Sequence, residues 1–230
     1  MIDSIHEIVE IESPSFDAAR STALVDRLER LFRDTGADIS IERHPADGFG
    51  EHLILRAFPG DRKPVLLLGH TDTVHPVGSK ERNPTRIDDG KFFGCGIFDM
   101  KSGIVLMAEA LRYFAETGER PTRPITILLS CDEEVGSHTG KAFVEQEAEN
   151  ADRCLVFEPS SNGRVKTGRK GTGMYTLRAH GIPAHAGLEP EKGASAVAEI
   201  AHQIERLHAL NNVSDGTTVN VCTVKGGTAI

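Results

Sequence analysis

His70 and Asp72 stand two positions apart at the end of the apolar run 65–69. In an extended chain, side chains at that spacing share a face. One can then hold a metal ion through a ring nitrogen while the other accepts the second ring N–H, which fixes the tautomer and raises ligand basicity. Taken alone, the pair also describes a simple strand-end turn. Its place matters, because ligand sites in open α/β sheets lie at the C-terminal ends of the strands. Asp99 follows Gly94 and Gly96 at the head of a helical stretch, where Asp is also a favoured N-cap. Glu133 and Glu134 follow a second apolar run, 125–130, within Cys131-Asp132-Glu133-Glu134-Val135-Gly136. Adjacent acids often form a solvated turn, yet just past a strand one can bind metal and the other carry a proton. Glu158 ends a third run, 153–157, ahead of Pro159.

Acidic positions gathered at the strand ends and helix starts of one scaffold repel one another unless something compensates them. Two divalent cations would do so. Imidazole and carboxylate donors suit zinc, with cobalt or manganese as substitutes.

Apolar periodicity shows which elements must carry these residues. Ala19, Ala23, Leu24, Leu28, Leu31 and Phe32 recur at helical spacing over 17–34, and Gly36 follows as a stop. Strands are expected at 39–42, 52–58, 65–69 and 125–130, with a helix at 101–116 between the last two. A helix at 139–150 and a buried strand at 153–157 follow. Unbroken rather than alternating runs imply strands covered on both faces, so the expectation is an α/β fold with a mostly parallel sheet flanked by helices. The texture changes at the glycine-rich stretch 168–173, which reads as a hinge. Beyond it a strand at 175–179, a helix at 194–210 and a strand at 219–224 are expected.

With 230 residues, 39% hydrophobic and 26% charged, the composition is globular. A formal charge of -8 argues against a nucleic-acid partner, since phosphate binding needs clustered Lys and Arg. No apolar stretch approaches the roughly 20 residues that cross a bilayer. Cys95, Cys131, Cys154 and Cys222 form no CxxC pair and no secretory segment is visible, so all four are expected as thiols in a cytoplasmic protein without membrane association.

The blocks Gly69-His70-Thr71-Asp72-Thr73-Val74, Gly94-x-Gly96-x-x-Asp99-Met100-Lys101, Glu133-Glu134-x-Gly136 and Phe157-Glu158-Pro159 occur in that order. Together they resemble the M20 metallopeptidases, with the glutamate carboxypeptidase branch as the nearer likeness. That resemblance implies a two-zinc site in which His70, Asp99 and Glu158 hold one ion. Asp99 would bridge to a second, bound also by Glu134. Asp72 would orient His70, and Glu133 would act as general base. It also implies a cis peptide bond between Asp99 and Met100. Pro183-Ala184-His185-Ala186-Gly187 matches the family block whose histidine reaches into the partner's active site of a homodimer and stabilises the oxyanion.

The implied organisation is a catalytic metal-binding domain over 1–168 and the start of an inserted dimerisation or lid domain of α+β type over 169–230, both incomplete. Its second zinc needs a further histidine, which is expected beyond residue 230, so the chain by itself is expected to be incompetent. The leading function is hydrolysis of a peptide or amide bond that releases a C-terminal amino acid. N-acyl amino-acid deacylation, of the acetylornithine or succinyl-diaminopimelate type, is the alternative, and a non-catalytic metal-binding or dimerisation protein is the third reading.

Overall fold

The computed structural model describes residues 1–227; Thr228, Ala229 and Ile230, the end of the stretch 219–230 that resembles a Gly-Gly-Thr-Ala segment of the M20 metallopeptidases, lie outside them. Two compact units divide at Lys166 and Thr167.

The first unit opens with helices α1 (Ile2–Val9) and α2 (Ala18–Arg33). Asp17 caps α2, its carboxylate accepting the Arg20 N–H at 3.1 Å, which satisfies one of the orphan donors of the first turn. Strands β1 (Ile39–Ala46), β2 (Gly50–Ala57) and β3 (Val65–His70) follow, then the short helix α3 (Ser79–Arg82) and the small hairpin β4 (Arg86–Asp88) and β5 (Lys91–Phe93). Helix α4 (Ser102–Thr117), strand β6 (Ile125–Ser130), helix α5 (Lys141–Asn150) and strand β7 (Arg153–Val156) complete the unit.

Five of these strands form one sheet in the order β1-β2-β6-β3-β7. The sheet is mixed. β3 pairs parallel with both β6 and β7, whereas β1 and β2 add an antiparallel edge through β2 and β6. The parallel part is the α/β core expected from the unbroken apolar runs, and every residue of β6 is buried. Alternation across the pleat divides the core between two faces. Leu53, Leu55, Leu67, Ile127 and Leu129 pack with α1, α2 and α4, while Ile54, Leu66 and Leu128 meet Phe143 and Val144 of α5. Each fully buried leucine contributes about 1.5–3 kcal/mol relative to exposure.

One expectation fails here. The run 153–157 was expected to be a buried strand, but β7 is the sheet's edge and all four of its residues are exposed. An edge strand has a neighbour on one side alone, so an apolar run does not secure burial.

The second unit contains helix α6 (Ala196–His208), capped by Ser195, whose hydroxyl accepts the Ala198 N–H at 3.1 Å. The strands expected at 175–179 and 219–224 are not formed among the described residues. Extended chain becomes sheet only when its N–H and C=O groups find a ladder, and these two segments find none.

Two close approaches tie α4 to the sheet. A Cβ on Gly69 would sit 2.4 Å from the Met100 Cε, and one on Gly103 would sit 2.6 Å from the Phe157 carbonyl oxygen. The second contact is with backbone, which cannot swing aside. Gly103→Ala should therefore lower stability by about 1–2 kcal/mol, because overpacking outweighs the gain of up to about 1 kcal/mol in helix propensity. A urea midpoint equal to or above that of the unsubstituted protein would contradict the contact.

Candidate metal centre

His70 is the last residue of β3, Glu133 and Glu134 lie just past β6, and Glu158 lies two residues past β7. Parallel pairing of the three strands brings these ends to one edge of the sheet. Asp99 arrives from a different direction. It sits in an irregular turn, 97–101, between Gly96, in the left-handed region at φ 72°, and α4. The Asp99–Met100 peptide bond is cis, as the resemblance implied. Asp99 caps no helix: its carboxylate oxygen lies 3.1 Å from the His70 Nε2.

The imidazole of His70 is 1% exposed and held on both nitrogens. Nδ1 lies 2.9 Å from the Asp72 carbonyl oxygen and 3.3 Å from the Asp72 carboxylate. Nε2 faces Asp99 at 3.1 Å and Glu158 at 3.4 Å. Asp72 is itself fixed, accepting from the Ser15 hydroxyl at 2.7 Å and from the backbone N–H groups of Glu133 and Glu134 at 3.1 Å each. Burial alone would lower the pKa of His70, but hydrogen bonds and charge from Asp72 and Glu158 outweigh it and raise the value to about 11. Burial opposes ionisation of Asp72 too, yet His70, Ser15 and the Glu134 amide hold its pKa below the usual carboxylate range. Glu133 is pushed the other way, first by burial and then by Glu158, Asp72 and Asp99, against a lowering effect of His70. Burial likewise raises Glu134, with Asp99, Asp72 and Glu133 adding to the effect.

This is a field that calls for positive charge at the Nε2 side of His70. Two sets of ligand atoms lie within 4.8 Å of one another, His70 with Asp99 and Glu134, and His70 with Glu133 and Glu158. Nitrogen and carboxylate oxygen at that spacing are donors that fit a divalent metal. Of the residues expected at the site, His70, Asp72, Asp99, Glu133, Glu134 and Glu158 thus converge. His185 belongs to the second unit, exposed, with its Nδ1 accepting the Gly187 N–H at 3.1 Å.

Residues 66–226 match the model of peptidase family M20/M25/M40. The chain belongs to this family. It is 28% identical over 229 residues to carboxypeptidase G2 of Pseudomonas sp. (strain RS-16), covering 99% of this chain and 55% of that protein. It is 32% identical over 211 residues to succinyl-diaminopimelate desuccinylase of Rhodopseudomonas palustris (strain BisA53), covering 86% and 54%. The chain thus spans about half the length of these curated relatives. Among solved structures it is similar to aminopeptidase PepT from Bacillus cereus ATCC 10987, with a TM-score of 0.70 at 23% identity over 99% of this chain and 61% of that one. A tripeptidase from Staphylococcus aureus gives a TM-score of 0.71 at 21% identity, with the same coverage. These likenesses establish the fold of the M20 chain.

The site depends on residues that the sequence reading passed over. His52 is fully buried. Its Nδ1 accepts the Cys131 N–H at 3.2 Å, so Nε2 carries the proton and donates to the Thr139 hydroxyl at 2.9 Å. That hydroxyl donates in turn to Asp132 at 2.9 Å. Asp132 also accepts the N–H groups of Thr139 at 2.6 Å and Gly140 at 3.3 Å. The loop that presents Glu133 and Glu134 is thereby braced at both ends. A spacing of 87 residues between His52 and Thr139 left no local signal of the contact. Cys131 is buried beside this loop, and burial pushes its thiol up to about 12.

A cavity of about 310 Å³ lies at the opposite end of the strands, between Phe58–Arg62 and Arg120–Pro124, away from the converging acids. Nothing in the chemistry above involves it.

The brace predicts a pH dependence. Burial holds the His52 pKa below 6.5, with His44 adding to the shift and Asp132 and Asp72 opposing it, so the folded state keeps the ring neutral. Its contribution is complete above the unfolded pKa of 6.5 and is lost as the pH falls through the depressed folded value. Stability measured by urea unfolding at pH 5 and pH 8 should show this slope. His52→Gln should weaken the slope and destabilise at pH 8 by about 1–3 kcal/mol through unpaired buried groups. An unchanged slope would remove His52 from this role.

Proposed function

We propose that the protein carrying this chain is a two-zinc hydrolase that cleaves a peptide or amide bond to release a C-terminal amino acid, in the manner of a glutamate carboxypeptidase. The observation that carries the reading is the convergence of the His70 imidazole with the carboxylates of Glu133, Glu134 and Glu158 from the strand ends and of Asp99 from the turn 97–101, beside the buried Asp72. These residues would hold zinc, which would supply Lewis-acid chemistry to polarise the scissile carbonyl and make water nucleophilic near neutral pH.

His70 offers a single nitrogen, because Nδ1 is committed to Asp72. Both ligand groups cannot be filled through it at once, so a second ion must share a carboxylate. Asp99, with two oxygens and a half-exposed side chain, would be the carboxylate shared, in keeping with the resemblance. By the resemblance, Glu158 would hold one ion with His70 and Asp99, and Glu134 would hold the other with Asp99. Glu133, although it too lies within ligand distance of His70 and Glu158, would be left for the proton. Its raised pKa suits a group that takes a proton from water and hands it to the leaving nitrogen. His185 serves as a donor to the oxyanion from the partner subunit of a homodimer built through the second unit. All four cysteines are free, which accords with a cytoplasmic enzyme, and among the described residues no helix is long and apolar enough to cross a membrane.

A second reading, N-acyl amino-acid deacylation, is favoured by the 32% identity to the desuccinylase. A panel of N-acyl glutamates, dipeptides and N-succinyl amino acids separates the two.

Glu133→Gln should lower turnover by about 100-fold or more while metal content is retained. Turnover preserved in that variant would take the proton-carrier role from Glu133. Elemental analysis tests the ligand assignment: Asp99→Ala should lose both ions and His70→Ala mainly one. Equal losses would count against Asp99 as the bridge.

A further inference from the structure

We infer that the cavity at the N-terminal ends of β3 and β6 binds the phosphate group of a small anion. It measures about 310 Å³, and its two walls are the chain leading into β3, 58–62, and the chain leading into β6, 120–124. Both strands are six residues long, so the cavity lies roughly 20 Å from the converging acids, and the inference is independent of the hydrolase reading. The two walls are laced together. The Val65 N–H donates to the Pro124 carbonyl at 2.9 Å, Arg123 donates to the Lys63 carbonyl at 3.2 Å, and a Cβ on Gly60 would sit 3.6 Å from the Pro124 ring. Pro59, Pro121 and Pro124 each fix a backbone φ angle, so a ligand meets walls that need little ordering.

Charge and donor type identify the occupant. Arg62, Arg120 and Arg123 line the cavity, with Asp61 as the one acid among the lining residues. Arg123 is already taken, its guanidinium 2.9 Å from the Asp152 carboxylate. Among the described residues, Arg62, Arg120 and the Thr122 hydroxyl have no hydrogen-bond or ion-pair partner in the chain. The surroundings favour an anion. A hydrogen bond from Arg153, then the charges of Arg123, Arg153 and Lys63, hold Asp152 below the usual carboxylate range against partial desolvation. Two unneutralised guanidinium groups match a dianion. A phosphate monoester carries about -1.5 to -2 at pH 7 on three acceptor oxygens, which suit planar arginine forks and a hydroxyl donor, whereas a single carboxylate would leave one cation unmatched. The volume is at the lower end of small-molecule sites, and a chain of formal charge -8 repels an extended polyanion.

Calorimetric titration of the full-length protein with phenyl phosphate and with inorganic phosphate tests the inference, because any phosphate taken up by a metal is common to every variant compared. The double variant Arg62→Ala/Arg120→Ala should bind phenyl phosphate about tenfold more weakly than the unsubstituted protein, the scale of a lost charge-assisted hydrogen bond. Phenyl phosphate should also raise the urea midpoint more in the unsubstituted protein than in the double variant. Both arginines are exposed, so the midpoint without ligand should not change. Tighter binding of the ester than of inorganic phosphate assigns the site to a phosphorylated small molecule, and equal or weaker binding assigns it to free phosphate. Affinity unchanged in the double variant, or no binding by the unsubstituted protein at millimolar concentration, overturns the site. Full affinity in Arg62→Lys/Arg120→Lys overturns it too, because lysine keeps the charge and loses the fork, which would reduce the cavity to a diffuse basic patch.

Discussion

The Asp72 carboxylate is the point on which the rest of the site depends. It stands beside the His70 ring and accepts the Ser15 hydroxyl and the amides of Glu133 and Glu134. Three segments far apart in the chain therefore meet on one buried anion: the N-terminal loop, the end of β3 and the turn after β6. An ionised carboxylate is tolerated at 2% exposure only because its oxygens are paired so completely. The same pairing gives the acids around His70 their geometry. Glu133 and Glu134 are held by their backbone amides, which leaves both side chains free to face the imidazole side of the site.

The N-terminal loop contributes more than one tether. Ser13 donates to the Thr71 carbonyl at 2.8 Å, and the Thr73 N–H returns a bond to the Ser13 carbonyl at 2.9 Å. Lys101, 1% exposed, donates to the Ile11 carbonyl at 2.6 Å. Burial lowers its pKa to about 8, against the raising influence of Cys95 and Glu12. Glu12 in turn accepts the N–H groups of Gly78 and Lys80 at 2.9 and 3.1 Å. The segment 11–15 has no regular ladder of its own, so its polar groups are satisfied by the chain that follows β3 and by the turn that carries Asp99. Removing them would free the loops that bear the ligands even though the sheet stayed intact.

Much of this was legible in the sequence for a physical reason: His70, Glu133, Glu134 and Glu158 lie where apolar runs stop. A run such as 125–130 must end when its flanking layers end, and polar residues just beyond it are forced to the sheet's C-terminal edge. Helices α2, α4 and α5 were visible for a similar reason, since burial on one side leaves a periodic record. The legibility fails where a contact is purely tertiary. His52 lies in a strand whose apolar neighbours say nothing of Thr139, and Ser15 is an ordinary loop serine until the fold brings it to Asp72. Helix α1 was missed because Asp3, Glu7 and Glu10 mask its apolar face of Ile5, Ile8 and Val9. The antiparallel edge formed by β1 and β2 was invisible in another way, because strand order is decided by pairing and not by composition.

Those limits also explain why the residues read most securely are the ones least free to move. His70, Glu133, Glu134 and Glu158 project from the ends of hydrogen-bonded strands or from the braced turn beyond them, so their positions are set by the sheet. Asp99 is different, since it rides on an irregular turn and its side chain is 52% exposed. If the proposed ions share the Asp99 carboxylate, its place on a turn would let its oxygens adjust while the strand ends stay fixed. The turn is nevertheless held from below, because Met100 packs its sulfur 3.2 Å from the His70 amide over the space that Gly69 leaves open. A larger residue at position 69 would displace Met100 and carry Asp99 with it, so the smallest residue in the His70 motif sets the position of its most adaptable ligand.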